Sequence, residues 1–175
     1  SAEEIVARDF LCFAEPDAAV VVCDATCLER GLLLVMQVLE TCPRTLLCVN
    51  LLDEAEKRQI AIDLPQLEQL LGIPVVGMAA RSGTGLPEFQ QRLFGLLHQP
   101  APQPLPCPVP EQLEQPLEQI QNELPENLCG LQREWTARRL LEPEPELHEK
   151  IAAHGNISLE IPAPVSYTHL TLPTT

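Results

Sequence analysis

The stretch LLCVNLLDEAEK, residues 46–57, sets an asparagine and an aspartate three positions apart, directly after a short apolar run. A carboxylate such as that of Asp53 can accept two hydrogen bonds, from the N1–H and the 2-amino group of guanine. Adenine offers no donor at either position, so a buried carboxylate would be left unpaired at a cost of about 1–3 kcal/mol per group. Asn50 would then act as a brace that bonds the neighbouring loop and the purine edge. One interpretation of the pattern is therefore a site that selects guanine.

The same two residues also have a purely structural interpretation. Asn and Asp are ordinary residues of turns and helix N-termini, and Asp53 stands just before the helix-favouring sequence EAEK. On this motif alone, the helix-cap interpretation is the stronger of the two.

A second loop changes that balance, because it follows the next apolar run along the chain. It has the sequence MAARSGTG, residues 78–85, and Gly83 and Gly85 make it tight. Its backbone N–H groups could point at the guanine carbonyl oxygen. A Ser-Gly-Thr-Gly loop is common by itself, but the order of strand, N-x-x-D, helix, strand, small-residue loop and helix is the order that a base-reading site needs.

Residues 1–98 alternate short apolar runs with helical periodicity, and these elements would position both loops. Three runs predict strands: DAAVVVCDA, TLLCVN and IPVVGM. Five stretches predict helices: AEEIVARDFLCF, TCLERGLLLVMQVLE with a Thr26–Glu29 capping box, DEAEKRQ, IDLPQLEQLLG with Asp63 as N-cap and Gly72 as stop, and LPEFQQRLFGLLH. The alternation predicts a parallel sheet covered on both faces, with its ligand chemistry at the carboxyl ends of the strands.

The second half of the chain has a different texture. Residues 99–110, QPAPQPLPCPVP, hold six of the 18 prolines and predict a stiff, extended linker. Residues 111–155 predict three amphipathic helices, with Leu131 and Trp135 one helical turn apart. The threonine-rich stretch 156–175 has no helical period, and we expect it to be a non-native or disordered tail.

Composition excludes several classes of function. The net charge of −14 would repel a phosphate backbone, so nucleic acid is not an expected partner. Seven cysteines without a C-x-x-C pair predict small buried side chains in a reducing compartment, and the scattered histidines predict no metal site. No apolar run reaches the roughly 18 residues that a membrane-spanning helix needs, so we expect this stretch of chain to be soluble.

Several longer stretches resemble one known family. EEIVARDFL, VVCDATCLERGLLLVMQVLE, the run from VNLLDEAEK to SGTGLPEF, and REWTARRLLE resemble the cytosolic N-terminal region of ferrous iron transport protein B, a bacterial iron transporter with a fused GTPase domain, over about residues 1–153. The resemblance places the fourth guanine-recognition motif at Asn50 and Asp53 and the fifth at Ala79, Ala80 and Arg81. Two positions depart from most GTPases.

Both departures concern the base site. Leu51 stands where most GTPases have lysine, and an apolar residue there is common in the transporter family. Ala79 replaces the usual serine or threonine of the fifth motif and removes a hydroxyl that braces the loop. This weakens base affinity, although the backbone donor of Ala80 is expected to remain available.

The resemblance implies an α/β fold: part of a P-loop-type GTPase domain with a three-layer, mainly parallel sheet, its N-terminal strands missing. Residues 1–98 would be the C-terminal part of this domain, 99–110 a proline-rich linker, and 111–155 a small all-helical domain. The sequence contains neither G-x-x-x-x-G-K-[ST] nor D-x-x-G. These residues would therefore form only the half of a GTP or GDP site that binds the base, without the phosphate loop and without the ligands of Mg²⁺. We therefore expect no GTP hydrolysis by these residues.

For the intact protein, the resemblance implies GTP binding and hydrolysis coupled to Fe²⁺ uptake at the cytoplasmic face of the bacterial inner membrane. The partners would be the guanine nucleotide and the transporter's own multi-pass membrane domain, and self-association is one of the states that the family allows. Two alternatives stand beside this reading of the residues. One is a non-catalytic α/β protein-interaction module, and the other is a different small-GTPase-like protein of ribosome assembly or tRNA modification, against which the acidic charge argues.

Overall fold

The computed structural model describes residues 2–103, 109–155 and 157. It divides into two compact units, Ser1–Pro108 and Val109–Thr175. Neither unit contains, among its described helices, one that is long and apolar enough to cross a membrane.

The first unit alternates strands and helices in the predicted order. Its elements are α1 (Ala2–Phe13), β1 (Ala19–Asp24), a 3₁₀ turn (Ala25–Cys27), α2 (Leu28–Leu39), β2 (Thr45–Asn50), α3 (Leu52–Lys57), α4 (Leu64–Leu71), β3 (Val75–Gly77) and α5 (Leu86–His98). The β-branched residues of β1 and β3 suit a pleated, half-buried surface. The three strands form a parallel sheet in the order β1-β2-β3.

The sheet has two unlike faces. On one face, alternate residues such as Val21, Leu47 and Val75 pack against Val35 and Val38 of α2 in the main core. On the other, Leu46 and Val76 pack against Leu96 of α5. β2 lies between the other strands, so its residues are buried on both faces.

The expectation of a sheet covered on both faces is wrong for β1. Val20 and Val22 point to the face that α5 covers farther along the sheet, yet they are 38% and 61% exposed. α5 packs mainly on β2 and β3, against Leu46 and Val76. The described residues therefore leave an apolar strip of the sheet open to solvent.

The helix N-termini show which of the predicted capping residues form hydrogen bonds. The predicted Thr26–Glu29 capping box does not form, because the side chain of Asp24 accepts the Thr26 N–H at 2.7 Å and turns the chain into the 3₁₀ segment. α2 then starts at Leu28 with no side-chain cap. The predictions for α4 are confirmed: Asp63 accepts the Gln66 N–H at 2.9 Å, and Gly72 ends the helix in the left-handed conformation.

The second unit contains three helices: α6 (Glu111–Glu123), α7 (Arg133–Leu141) and α8 (Pro145–Gly155). Leu131 and Trp135 are both buried, but Leu131 lies in the turn before α7, so the two do not share a helix as predicted. Arg133 donates to the carbonyls of Gln121, Leu124 and Pro125 at 2.7, 3.0 and 2.6 Å and ties the start of α7 to the end of α6.

The predicted linker and tail lie partly outside the described residues. Residues 99–103 and 109–110 form no helix or strand, as their prolines require, while residues 104–108 are not described. Of the predicted tail, only Ile157 is described.

Candidate functional site

The ends of three parallel strands bring the candidate residues to one edge of the sheet. Asp24 at the end of β1 lies opposite Asn50 at the end of β2, and Val49 lies opposite Gly77 at the end of β3. Loops at this edge are where α/β folds bind ligands. The sheet therefore places the two predicted motifs side by side.

A hydrogen bond joins the two motifs directly. The Asn50 Oδ1 accepts the Ala80 N–H at 3.0 Å. Because a backbone N–H can only donate, this contact sets the orientation of the Asn50 amide. Its Nδ2 is therefore directed away from Ala80 and can donate to another group. One side chain thus links the loop after β2 to the loop after β3.

This contact corrects one expectation about the second loop. The Ala80 N–H was expected to remain available for a ligand carbonyl, but the structure engages it with Asn50. The next backbone donor, the Arg81 N–H, has no hydrogen-bond partner within residues 2–103. Of these two donors, the Arg81 N–H is therefore the one that the described residues leave open to a ligand.

Asp53 is not the N-cap of α3. The N-cap is Leu51, which makes no side-chain cap bond, and Asp53 lies in the first turn of the helix. Its half-buried carboxylate makes no hydrogen bond to the described part of the chain and feels the positive charge of Lys57. The helix-cap interpretation of Asp53 is therefore wrong, and its oxygens are free to accept hydrogen bonds from a ligand.

Leu51 carries the sharp turn from β2 into α3. It has φ +64° and ψ +34°, a left-handed conformation that a non-glycine residue rarely adopts. Its carbonyl accepts the N–H groups of Glu54 and Ala55 at 3.0 Å, and the next residue, Leu52, donates to the Met78 carbonyl at 3.2 Å. The strained residue thus lies between Asn50 and Asp53, where such outliers often mark function.

The loop of residues 78–85 is folded back on itself. Ala79 and Thr84 form an isolated antiparallel bridge. Gly83 and Gly85 have positive φ, and a Cβ on Gly85 would collide with the Gly77 carbonyl oxygen. The two glycines are therefore required by backbone geometry, as the sequence predicted.

Two carboxyl groups at this edge have a lowered pKa. The Thr26 N–H, and then the Thr26 hydroxyl, hold the pKa of the Asp24 carboxyl below its ordinary value. The Lys57 ammonium, 2.8 Å from Glu54, lowers the pKa of that carboxyl in the same way. Beneath the second loop, the Cys48 Sγ lies 2.8 Å from the Met78 Sδ, and burial raises the pKa of the Cys48 thiol.

Sequence reasoning missed Asp24, Ser82 and Thr84 at this site. The signal for Asp24 was an apolar run that ends on a polar residue, the same pattern that drew attention to Asn50. The signal for the two hydroxyls was the S-G-T-G sequence, where serine and threonine flank a glycine.

The sequence lacks the motifs that bind Mg²⁺ in a GTPase, and the described residues hold no cluster of metal ligands. Among residues 2–103, 109–155 and 157, no group of three or more His, Cys, Asp or Glu side chains is placed to hold a metal ion. No chemical step is therefore assigned to a metal here.

Comparison with known proteins identifies the family. The family model of ferrous iron transport protein B matches residues 1–93. The chain belongs to this family. Ferrous iron transport protein B was the family that the sequence stretches resembled, so that prediction is confirmed.

Relatives and solved structures show how much of a family member the chain represents. The Fe(2+) transport protein A/FeoB fusion protein of Porphyromonas gingivalis is 37% identical over 97 residues, which are 55% of this chain and 12% of the relative. The Fe(2+) transporter FeoB of Legionella pneumophila is 38% identical over 93 residues, which are 53% of this chain and 12% of the relative. The chain thus spans about an eighth of the curated FeoB relatives that it matches.

The structural match extends beyond the family model. The cytosolic domain of T. maritima FeoB in a GDP form superposes with a TM-score of 0.79 at 26% identity, covering 95% of this chain and 65% of that one. The FeoB G-domain from Methanococcus jannaschii matches with a TM-score of 0.55 at 36% identity, covering 57% of this chain and 64% of that one. The predicted fold class, part of a GTPase domain followed by helices, is confirmed.

Proposed function

We propose that residues 1–98 form the base-recognition part of a guanine-nucleotide site in the GTPase region of a ferrous iron transporter. The observation that carries this proposal is the hydrogen bond from the Ala80 N–H to the Asn50 Oδ1. It joins the two loops that a base must contact at once, and it leaves the Asn50 Nδ2 to donate.

Each group has a distinct part in reading the base. The Asn50 Nδ2 donates to N7, an acceptor that adenine and guanine share, so Asn50 holds a purine without choosing between them. Asp53 makes the choice, since its free carboxylate accepts the N1–H and the 2-amino group that only guanine presents. Ala79, Ala80 and Arg81 form the loop that presents the Arg81 N–H to the guanine carbonyl, since the Ala79 and Ala80 N–H groups are bonded to Thr84 and Asn50. Leu51 supplies apolar contact beside the base.

The nucleotides of the structural neighbours support this assignment. T. maritima FeoB has been solved in GDP forms and in a GMPPNP form, and both ligands are guanine nucleotides. The GMPPNP form matches this chain with a TM-score of 0.81 at 26% identity.

The proposal is confined to the base. No residue of the sequence matches the phosphate-binding or magnesium-linked motifs of a GTPase, so phosphate binding, Mg²⁺ binding and hydrolysis are not assigned to these residues. In the transporter, GTP hydrolysis would be coupled to Fe²⁺ passage through a membrane domain. The site described here would lie on the cytosolic side of that domain and choose the nucleotide.

The proposal can be tested on the chain itself. We expect guanosine to shift the ¹⁵N–¹H signals of the Ala80 and Arg81 amides and of the Asn50 side chain, with a dissociation constant on the order of 1 mM, since base contacts alone supply about 4 kcal/mol. Adenosine should shift them far less. Asp53→Asn should abolish the preference for guanosine.

A matched control is available on α4. Asp63→Asn makes the same change at another helix start, where asparagine also caps well, and should leave the preference unchanged. Equal shifts with guanosine and adenosine in the unmodified chain would overturn the proposal.

A further inference from the structure

The carbonyl of Ala79 is held by one residue in two ways. Ser82 donates its backbone N–H to the Ala79 oxygen at 3.0 Å and its hydroxyl to the same oxygen at 3.0 Å. Ala79 itself has no hydroxyl and is 5% exposed, so its contacts within the loop are made by its backbone. The polar side chain that bonds this carbonyl is therefore that of Ser82, three residues farther along the loop.

Thr84 completes the arrangement from the other side. Its carbonyl accepts the Ala79 N–H at 3.0 Å, and its hydroxyl lies 2.9 Å from the Ser82 hydroxyl. Both polar backbone groups of Ala79 are thus bound by residues that are themselves linked. Gly83 lies between the two hydroxyl residues at φ +77°, with open space where a side chain would be, so the turn itself demands the glycine.

The position of these hydroxyls separates them from ordinary packing. Ser82 and Thr84 are exposed, and neither belongs to the apolar clusters of the sheet. Their contacts fix the backbone of Ala79, which directly precedes the backbone donors of Ala80 and Arg81. A hydroxyl pair here contributes to the direction of those donors more than to the burial of apolar surface.

We propose that the Ser82–Thr84 hydroxyl pair is a positioning device that orients the Arg81 backbone donor toward the base, next to the Ala80 N–H that Asn50 holds. The inference rests on the proposed function, because it concerns the same site. Ser82 and Thr84 do not touch the base themselves. They act through the Ala79 backbone, and the Asn50 amide holds the same loop from the opposite side.

The test combines amide hydrogen exchange with nucleoside titration on the full chain. Ser82→Ala and Thr84→Val should each speed exchange of the Ala79 amide about threefold to tenfold, the effect of one net hydrogen bond. Both should weaken guanosine binding by a similar factor. Ser82→Thr keeps the hydroxyl and should restore both properties. The double variant should lose less than the sum of the single losses, because the two hydroxyls act as one unit.

Thr41→Val is the matched control. Its hydroxyl donates to the Val38 carbonyl at 3.0 Å at the end of α2, away from this loop, and its removal should change neither property. Unchanged Ala79 exchange in Ser82→Ala would overturn the inference. So would faster exchange with unaltered guanosine affinity, since the hydroxyls would then be merely structural. Absence of guanosine preference in the unmodified chain would overturn the proposed function. This preference is measured before any variant is made, so the two failures are distinguishable.

Discussion

Glu68 of α4 and Arg92 of α5 close the outer edge of β3 together. The Arg92 Nη1 lies 2.9 and 3.0 Å from the two carboxylate oxygens of Glu68. The same carboxylate accepts the Val75 N–H at 3.1 Å, a donor that points away from β2. A charged pair thus occupies the edge where another strand would otherwise pair.

Removal of the Glu68–Arg92 pair should destabilise the first unit modestly. We expect Glu68→Ala to lower the free energy of unfolding by about 0.5–1.5 kcal/mol, because the Val75 N–H loses its acceptor and Arg92 keeps only the longer pair with Glu88, at 3.6 Å. Glu68→Gln keeps an acceptor for Val75 and should cost less. Urea denaturation measures both. Lys57→Ala, which breaks the solvent-exposed pair with Glu54, should cost clearly less than Glu68→Ala. An equal loss in Lys57→Ala would contradict a special role for the Glu68–Arg92 pair.

The opposite edge of the sheet should make the isolated chain self-associate. β1 has no strand beyond it among the described residues, and Val22 beside that edge is 61% exposed. Val22→Lys should reduce association, measured by light scattering over a range of concentrations, because charge at an edge strand opposes pairing. Leu33→Lys removes a comparably exposed apolar side chain, at 71%, from α2. If both variants reduced association equally, the cause would be non-specific association of exposed apolar side chains and not pairing at the sheet edge.

The left-handed conformation of Leu51 should govern which residues are tolerated there. Leu51→Ile should lower the free energy of unfolding by about 1–2 kcal/mol, because β-branched residues fit positive φ poorly. Leu51→Asn should cost less, since asparagine enters this region readily. Leu70→Ile, at an exposed and ordinary helical position of α4, is the control and should be nearly neutral. A neutral Leu51→Ile would show that the turn relaxes in solution.

The Asp24 carboxyl should make the stability of the first unit depend on acidity. The Thr26 N–H lowers its pKa in the folded chain below the ordinary value of 3.8. Because the folded-state pKa is the lower one, its stabilisation is present above the unfolded value and is lost as the pH falls through the folded value. The destabilisation caused by Asp24→Ala should therefore be full at neutral pH and shrink in acid. Thermal unfolding of both chains across that range measures it, and a pH-independent difference would contradict the shift.

Much of the first unit follows from local chemistry that the sequence displays. The end of α1 at Phe13, the whole of β2 and the whole of α5 lie where apolar patterning placed them. The cap and stop of α4 were readable because Asp63 and Gly72 act within one helical turn of themselves. The family resemblance was readable for the same reason, since it rests on contiguous stretches.

The wrong predictions have two physical causes. Either the deciding partner lies far along the chain, or neighbouring residues compete for the same hydrogen bond. Asp24 competed with the Thr26–Glu29 box for one N–H and won it at 2.7 Å. The availability of the Ala80 donor was misjudged because its partner, Asn50, is thirty positions away along the chain. The exposed strip of β1 could not be seen in a run of valines, because burial depends on which helix covers which face.

Residue order alone was enough to set the succession of strands and helices, the positions of both candidate loops and the family, because these depend on interactions over a few residues. Folding in three dimensions settled whether Asn50 meets Ala80, whether Asp53 is a cap or a free acceptor, and which sheet edge is closed by Glu68 and Arg92. Those outcomes depend on parallel strands that bring distant residues into hydrogen-bond range, and a local pattern carries no measure of that distance.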